Sequence, residues 1–305
     1  MDRNEIAGLG EIARLSEAVS GHTLLAVEIS ADYPEKPRVL DRVSFAIRPA
    51  EILGLIGESG SGKSTIALAV PRLLELRGGR IRGSIRFCGR DLMTCNASEL
   101  RHIRGSEIAL VPQSPMSALN PALRIETHLR EAWRAHRRES WAFAKEPTRD
   151  LLMRMGLAAD DAFLRRMPRQ LSVGQAQRVV IAMAVMHRPK LLIADEATSA
   201  LDPASQDEIL ALFRKLNREL QMAILYVSHD LASVARLCHT VGILEGGRLI
   251  QCGPAAELLA HSAAARRTGV QAFPPCAGVV PVWQDHGATV IPGTTIVPGD
   301  FVPIP

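Results

Sequence analysis

The stretch Gly57-Glu58-Ser59-Gly60-Ser61-Gly62-Lys63-Ser64-Thr65 fits the pattern G-x-x-x-x-G-K-[ST] and follows the apolar run Ile52 to Ile56. A strand, a glycine-rich loop and a helix in that order suit phosphate. The glycines let backbone N–H groups turn toward phosphate oxygens, Lys63 can reach the β and γ phosphates, and the Ser64 hydroxyl can hold Mg²⁺. The implied chemistry is binding of a nucleoside triphosphate, ATP or GTP. Further on, Leu191-Leu192-Ile193-Ala194-Asp195-Glu196 puts two carboxylates at the end of a buried strand, where open α/β sheets bind their ligands. Asp195 can hold the water shell of Mg²⁺, and Glu196 can orient or deprotonate a water attacking in line at the γ phosphate.

Between these two sets lies Leu171-Ser172-Val173-Gly174-Gln175-Ala176-Gln177-Arg178, which opens a helix running to Met186 with Ser172 as its N-cap. The order of loop, this segment and Asp195-Glu196 resembles the ATP-binding-cassette (ABC) ATPase family, whose signature is usually Leu-Ser-Gly-Gly-Gln. The resemblance covers about residues 23 to 260. It implies that Ser172, Gly174 and Gln175 approach the γ phosphate from a partner subunit. It also implies that Gln113 is the glutamine that contacts Mg²⁺ and water, and that Ser199-Ala200-Leu201-Asp202 is the D-loop. By the same likeness His229 contacts the γ phosphate and Tyr33 stacks on the adenine ring. The cofactors it implies are ATP and Mg²⁺. Two positions depart from the family pattern: Val173 replaces a signature glycine, and Ala197 replaces the proline that commonly follows the glutamate. Neither removes a reactive group.

The elements needed to hold these residues are legible in outline. After a polar, helical lead (1–20), Leu24 to Ser30 and Val39 to Ile47 read as β segments around the turn Tyr33-Pro34-Glu35-Lys36-Pro37. The spacing predicts a helix over Thr65 to Leu76, ended by Gly78-Gly79, and a short strand pair over Ile81 to Phe87. Leu92 to Met186 reads as mostly helical. Leu191 to Ala194 and Ala223 to Val227 read as buried strands, flanking a helix over Pro203 to Leu220 capped by Asp202. The expected fold is therefore α/β, a P-loop NTPase of the ABC nucleotide-binding type, with an antiparallel β subdomain and a helical signature subdomain inserted at about 114–186. Residues 1–22 form an N-terminal extension, 23–260 the ATPase domain, and 261–305 an irregular tail rich in proline.

Composition narrows the class. Of 305 residues, 47% are apolar and 22% charged, an ordinary globular balance, and no apolar run approaches the roughly 18 residues of a membrane span. The early acids of Met1-Asp2-Arg3-Asn4-Glu5 do not resemble a secretory signal, so a cytoplasmic location is expected. Cys88, Cys95, Cys238, Cys252 and Cys276 are too scattered for a metal pair or disulfide framework and read as free thiols. With only Cys276 in the tail, no iron-sulfur cluster is expected. A net charge of +4 is weak for nucleic-acid binding. The Arg-rich stretch from Arg130 to Arg149, diluted by Glu131, Glu139 and Glu146, reads as a solvated helix face rather than a docking surface. With no internal repeat, the chain carries one nucleotide site.

The segment Gln113-Ser114-Pro115-Met116-Ser117-Ala118-Leu119-Asn120-Pro121 is similar to its counterpart in importers of dipeptides, oligopeptides and nickel. That resemblance implies an ATP-hydrolysing subunit peripheral to the cytoplasmic face of the inner membrane. Its implied partners are permease subunits, a second ATPase (a heterodimer before a homodimer) and, indirectly, an extracytoplasmic solute-binding protein. The alternatives are a soluble ABC ATPase acting on ribosomes or DNA, and a regulatory cassette with little turnover.

Overall fold

The computed structural model describes residues 23–259. The expected N-terminal extension, the proline-rich tail and Cys276 lie outside the described residues.

Two sheets organise the described residues. The first is antiparallel: β1 (Leu25–Tyr33) pairs on one side with β2 (Lys36–Ile47) and on the other with β4 (Arg80–Phe87), which carries the two-residue β5 (Arg90–Asp91). Leu25, Val27, Ile29 and Ala31 are the buried residues of β1, the period-two pattern of a strand with one face in a core. The second sheet has six strands in the order β10-β9-β3-β8-β7-β6. Here β3 (Ile52–Ile56), β6 (Ile108–Val111), β7 (Leu191–Asp195), β8 (Ala223–Val227) and β9 (Thr240–Glu245) run parallel, and β10 (Arg248–Pro254) closes the edge antiparallel to β9.

Strands β3 and β8 are buried along their whole length, as expected of parallel strands covered on both faces. Their side chains alternate between two cores. Leu53, Leu55, Leu191, Ile193, Leu225 and Val227 join the core shared with the antiparallel sheet and α1 (Lys63–Ala69). Ile52, Ile56, Leu192, Ala194, Ile224 and Tyr226 face the opposite way, toward the helices. Those helices come in sequence: α2 (Ala97–Ser106) before β6; then α3 (Pro115–Ala118), α4 (Ile125–Arg134), α5 (Trp141–Arg154), α6 (Asp161–Leu164) and α7 (Val173–Val185) before β7. The eighteen-residue α8 (Pro203–Leu220) joins β7 to β8, and α9 (Leu231–Leu237) follows β8.

Two expectations need correction. The helix after the phosphate loop ends at Ala69 rather than Leu76, because Pro71 cannot continue it and the chain turns into a separate 3₁₀ turn at Glu75–Arg77. The expected strand pair over Ile81 to Phe87 is a single strand, β4, whose main partner is β1. The stretch from Leu92 to Met186 is mostly helical, as expected, with the short strand β6 within it. The Arg-rich stretch divides. Lys145 and Arg149 are paired with Glu126, Glu146 and Asp161, whereas Arg134, Arg137 and Arg138 are exposed and line an open cleft with Arg101 and His102. Cys88, Cys95 and Cys238 are free thiols. Among the described residues no helix is long and apolar enough to cross a membrane.

One glycine fixes the packing of β3. A Cβ on Gly54 would lie 2.8 Å from Cys238 Sγ and 3.0 Å from Val234 Cγ1, so the missing side chain is what lets α9 and its following turn lie against the strand. Gly54→Ala is expected to destabilise the fold by about 1–3 kcal/mol in urea unfolding through overpacking. Gly54→Ala combined with Cys238→Ala should recover much of the loss; equal instability of the double variant would show that this contact is not the cause.

Candidate functional site

The parallel strands determine where the chemistry collects. Register pairs Leu55 with Val227, Val227 with Asp195, and Ala194 with Val111, so β3, β8, β7 and β6 end nearly in line at their carboxyl ends. Just past that line come Gly57, His229, Glu196 and Gln113. Hydrogen bonds carry the alignment beyond the strands: the Glu196 amide donates to the Val227 carbonyl at 2.9 Å, and the Ser228 amide to the Leu55 carbonyl at 3.1 Å.

The loop after β3 is wrapped around a lysine. Lys63 is only 5% exposed, and its Nζ donates to the carbonyls of Gly57 and Glu58, both at 2.8 Å. Burial lowers its pKa from the ordinary lysine value, while the charges of Glu196 and Asp195 oppose that shift. Gly62 has φ +108°, and a Cβ there would come within 2.6 Å of Leu40 Cδ2, so this position requires glycine for both backbone and space. Ser64 Oγ donates to Asp195 Oδ1 at 2.9 Å, joining the first turn of α1 to the end of β7.

Asp195 is itself displaced in pKa. Burial raises its carboxyl above the ordinary value, Glu196 pushes the same way, and the Ser64 hydrogen bond and Lys63 oppose. Glu196 stands beside it at φ +48°. Its carboxylate is gripped from two sides: Gln113 Nε2 donates to Oε2 at 2.8 Å, and His229 Nδ1 lies 3.3 Å from Oε1. Three segments far apart in sequence thus meet on one carboxylate.

The remaining expected residues lie elsewhere in the chain. Ser172 caps α7 as its sequence predicts, accepting from the Gln175 amide at 3.1 Å while the Gln175 side chain accepts from the Ser172 amide at 3.2 Å. These bonds close on the helix end itself. Val173 occupies the first helical position and is 43% exposed, so its side chain fits without displacing a neighbour. Gly174 faces Ser205 at the start of α8, where Asp202 accepts from the Ser205 amide at 3.0 Å. Tyr33 ends β1 opposite Lys36 and packs, half-buried, against the core of the antiparallel sheet. Glu58, Ser59, Gly60, Ser61 and Thr65 all lie in the loop or the first turn of α1.

Sequence reasoning missed several supporting residues. The buried His128 accepts from the Asn120 amide at 2.8 Å, and its Nδ1 lies 3.0 Å from the Arg124 carbonyl; because one nitrogen accepts, the other carries the proton. It thereby braces the segment following Gln113. Its signal was a histidine inside the apolar helical pattern of α4. Tyr226 and the hydroxyls around it were missed as well, though a tyrosine within an all-apolar strand is a recognisable mark.

A parallel sheet with a phosphate-type loop after one strand and paired carboxylates after another defines a phosphate-loop nucleotide-binding fold. The sequence profile described as ABC transporter matches residues 40–199. The dipeptide transport ATP-binding protein DppD of Escherichia coli (strain K12) is 38% identical over 218 residues, covering 72% of this chain and 67% of DppD. A Brucella abortus (strain 2308) protein named for peptide import is 42% identical over 215 residues, which span 70% of this chain but 65% of that protein's length. Among solved structures, cbiO1 of Clostridium perfringens, part of the ABC transporter complex cbiONQ, superposes with a TM-score of 0.66 at 26% identity, covering 81% of this chain and 95% of cbiO1. The ATP-binding cassette MJ0796, solved as a dimer in a post-hydrolysis state with ADP and Pi, gives a TM-score of 0.66 at 25% identity, covering 76% of this chain and 98% of MJ0796. The chain belongs to the ABC transporter family.

The raised Asp195 pKa has a measurable consequence. A carboxyl whose folded pKa lies above its unfolded value disfavours the fold when ionised. The penalty is complete above the folded pKa and absent below the unfolded one. Asp195→Asn is therefore expected to be more resistant to urea than wild type at neutral pH, with the advantage vanishing as the pH falls below the ordinary aspartate range. A variant less stable than wild type at neutral pH would contradict this account of the site.

Proposed function

We propose that the chain is an ATP-hydrolysing subunit that energises a membrane importer for peptides, or for a related small solute such as nickel. The observation that carries this reading is the convergence of Gln113 and His229 on Glu196, next to an Asp195 already bonded to Ser64 of the phosphate-type loop. The loop's fit to phosphate has its own support. Ser61 Oγ is buried there without a hydrogen-bond partner, a polar atom that a phosphate oxygen would satisfy.

Each residue then has a task. Lys63 exchanges the loop carbonyls for β- and γ-phosphate oxygens, and Ser64, Asp195 and Gln113 hold Mg²⁺ and its water shell. When bound, that ion supplies charge neutralisation at the phosphates. Glu196 accepts the proton of the attacking water or orients it. His229 steadies the γ phosphate, and Gln113, which leads directly into α3, senses whether that site is filled. Tyr33 stacks on the adenine.

Ser172 and Gln175 bond each other at one helix start and Asp202 bonds Ser205 at another, with Gly174 beside Ser205, which supports all four acting on the nucleotide of a second subunit. In this reading one chain holds half of each site, and a heterodimer with a related ATPase is the preferred assembly. Residues 23–260 form the ATPase domain, with the helices at about 114–186 conveying its movement to permease subunits. An extracytoplasmic solute-binding protein delivers cargo on the other side. The chain itself is peripheral, at the cytoplasmic face of the membrane. The similarity to DppD, named for dipeptide transport, supports the cargo class.

Affinity purification of the tagged chain from gently solubilised membranes of its native cell, with mass spectrometry of what accompanies it, tests the proposal. The expected result is recovery of permeases, a second ATPase and a solute-binding protein. Recovery of ribosomal or DNA-repair proteins alone would overturn the transport reading.

A further inference from the structure

Behind the site, on the helix-facing side of β8, lies a buried chain of hydroxyls that the roles above leave unused. Tyr226 is fully buried, and Thr198, Ser228 and Ser233 are each at most 5% exposed. Thr198 Oγ1 lies 3.0 Å from the Tyr226 hydroxyl, which donates to Ser233 Oγ at 3.2 Å; Ser233 Oγ donates to the Asp230 carbonyl at 2.8 Å. Ser228 Oγ lies 3.3 Å from Ser233 Oγ and accepts from the Asp230 amide at 3.0 Å.

Each hydroxyl has one proton, so the directions follow. Ser233 spends its proton on Asp230, so Ser228 must donate to Ser233. Tyr226 spends its proton on Ser233, so Thr198 must donate to Tyr226. Every donor is used once and every bond is satisfied. Tyr226 must stay a neutral phenol to donate, and burial, by raising its pKa, keeps it so.

The two ends of this chain are the two turns that carry the reacting groups. Thr198 stands two residues after Glu196, in a turn closed by the Ser199 amide on the Glu196 carbonyl at 3.1 Å. Ser228 and Asp230 flank His229, whose Nδ1 reaches Glu196 across only 3.3 Å. Gln206 of α8 also donates to Asp230 Oδ2 at 3.0 Å, so the His229 turn is held from the helix that Asp202 caps. The backbone already ties the two turns once, through the Glu196 amide on the Val227 carbonyl at 2.9 Å, and this chain of hydroxyls adds the side-chain link beneath that bond. The core around them is apolar, and apolar contacts permit sliding where directed hydrogen bonds do not.

We propose that Tyr226 is a positioning residue that fixes the turn carrying Glu196 relative to the turn carrying His229, through Thr198 on one side and Ser233 on the other. The inference rests on the ATP-hydrolysing reading given above. It predicts that the relay sets the rate of the chemical step and leaves nucleotide binding alone, because none of its members lines the phosphate loop.

The test is steady-state ATP hydrolysis by the full chain in its assembled complex, with nucleotide affinity and Tm measured in parallel. Tyr226→Phe keeps the ring and removes the relay oxygen. It should lower kcat about tenfold, equivalent to ~1.4 kcal/mol in the barrier, with KM and ATP affinity unchanged. Thr198→Val should give the same loss, the double variant no more than either alone, and Thr198→Ser should retain most of the wild-type kcat. Leu216→Ala, a truncation in the same core away from the relay, should lower Tm at least as much yet leave kcat per folded chain intact. A Tyr226→Phe complex with wild-type kcat, or one whose loss merely follows its folded fraction as Leu216→Ala does, would overturn the proposal. A wild-type complex that does not hydrolyse ATP would overturn the reading beneath it.

Discussion

The register of four parallel strands is the constraint on which the site depends. Because β3, β8, β7 and β6 are in hydrogen-bonded register, their ends form one edge, and residues 57, 229, 196 and 113 are delivered side by side although up to 172 positions separate them in the chain. Neighbouring strands are about 4.8 Å apart, which is within reach of side chains one or two residues past the ends. A slip of one residue in β7 would exchange its two core faces and carry Glu196 away from both Gln113 and His229. The two apolar cores oppose such a slip: Leu192 and Ala194 belong to one, Leu191 and Ile193 to the other.

That framework holds an arrangement that is electrostatically costly. Lys63 and Asp195 are both displaced from their ordinary pKa values by burial, in opposite directions, and each partly relieves the other. A fold selected for stability alone would place neither there. Charged groups whose values are shifted by burial and gathered at one edge are what a phosphate-handling site requires, because they act most strongly where water is scarce. The buried chain of hydroxyls on the helix side of β8 follows the same logic: it places buried polar groups among apolar ones and so gives direction to the two turns at its ends.

Much of this was legible in the sequence, for physical reasons that differ by element. The strands β7 and β8 and the helix α8 announce themselves through unbroken apolar runs and an Asp202-Pro203 start, and their bounds agree closely with expectation. The Ser172 cap was readable because a capping box is a local interaction. β6 was not readable, since four apolar residues between helical patterns suit helix and strand equally, and only pairing with β7 decides. The end of α1 was missed by overvaluing apolar continuity against Pro71. β9 and β10 lie past the last assigned element, and their pairing with β3 and each other is long-range. The candidate site residues were named individually from motif order, but the meeting of Gln113 and His229 on Glu196 is a property of the assembled sheet that no local pattern encodes.

The central claim is that Glu196 is the group acting on water at the γ phosphate. The direct measurement is ATP turnover by the assembled complex carrying Glu196→Gln, alongside ATP binding by the same preparation. Gln keeps the size of the side chain and one of its two acceptor oxygens but cannot take a proton. The account predicts binding close to wild type and turnover lowered by about 10²-fold or more. Turnover equal to wild type would contradict it.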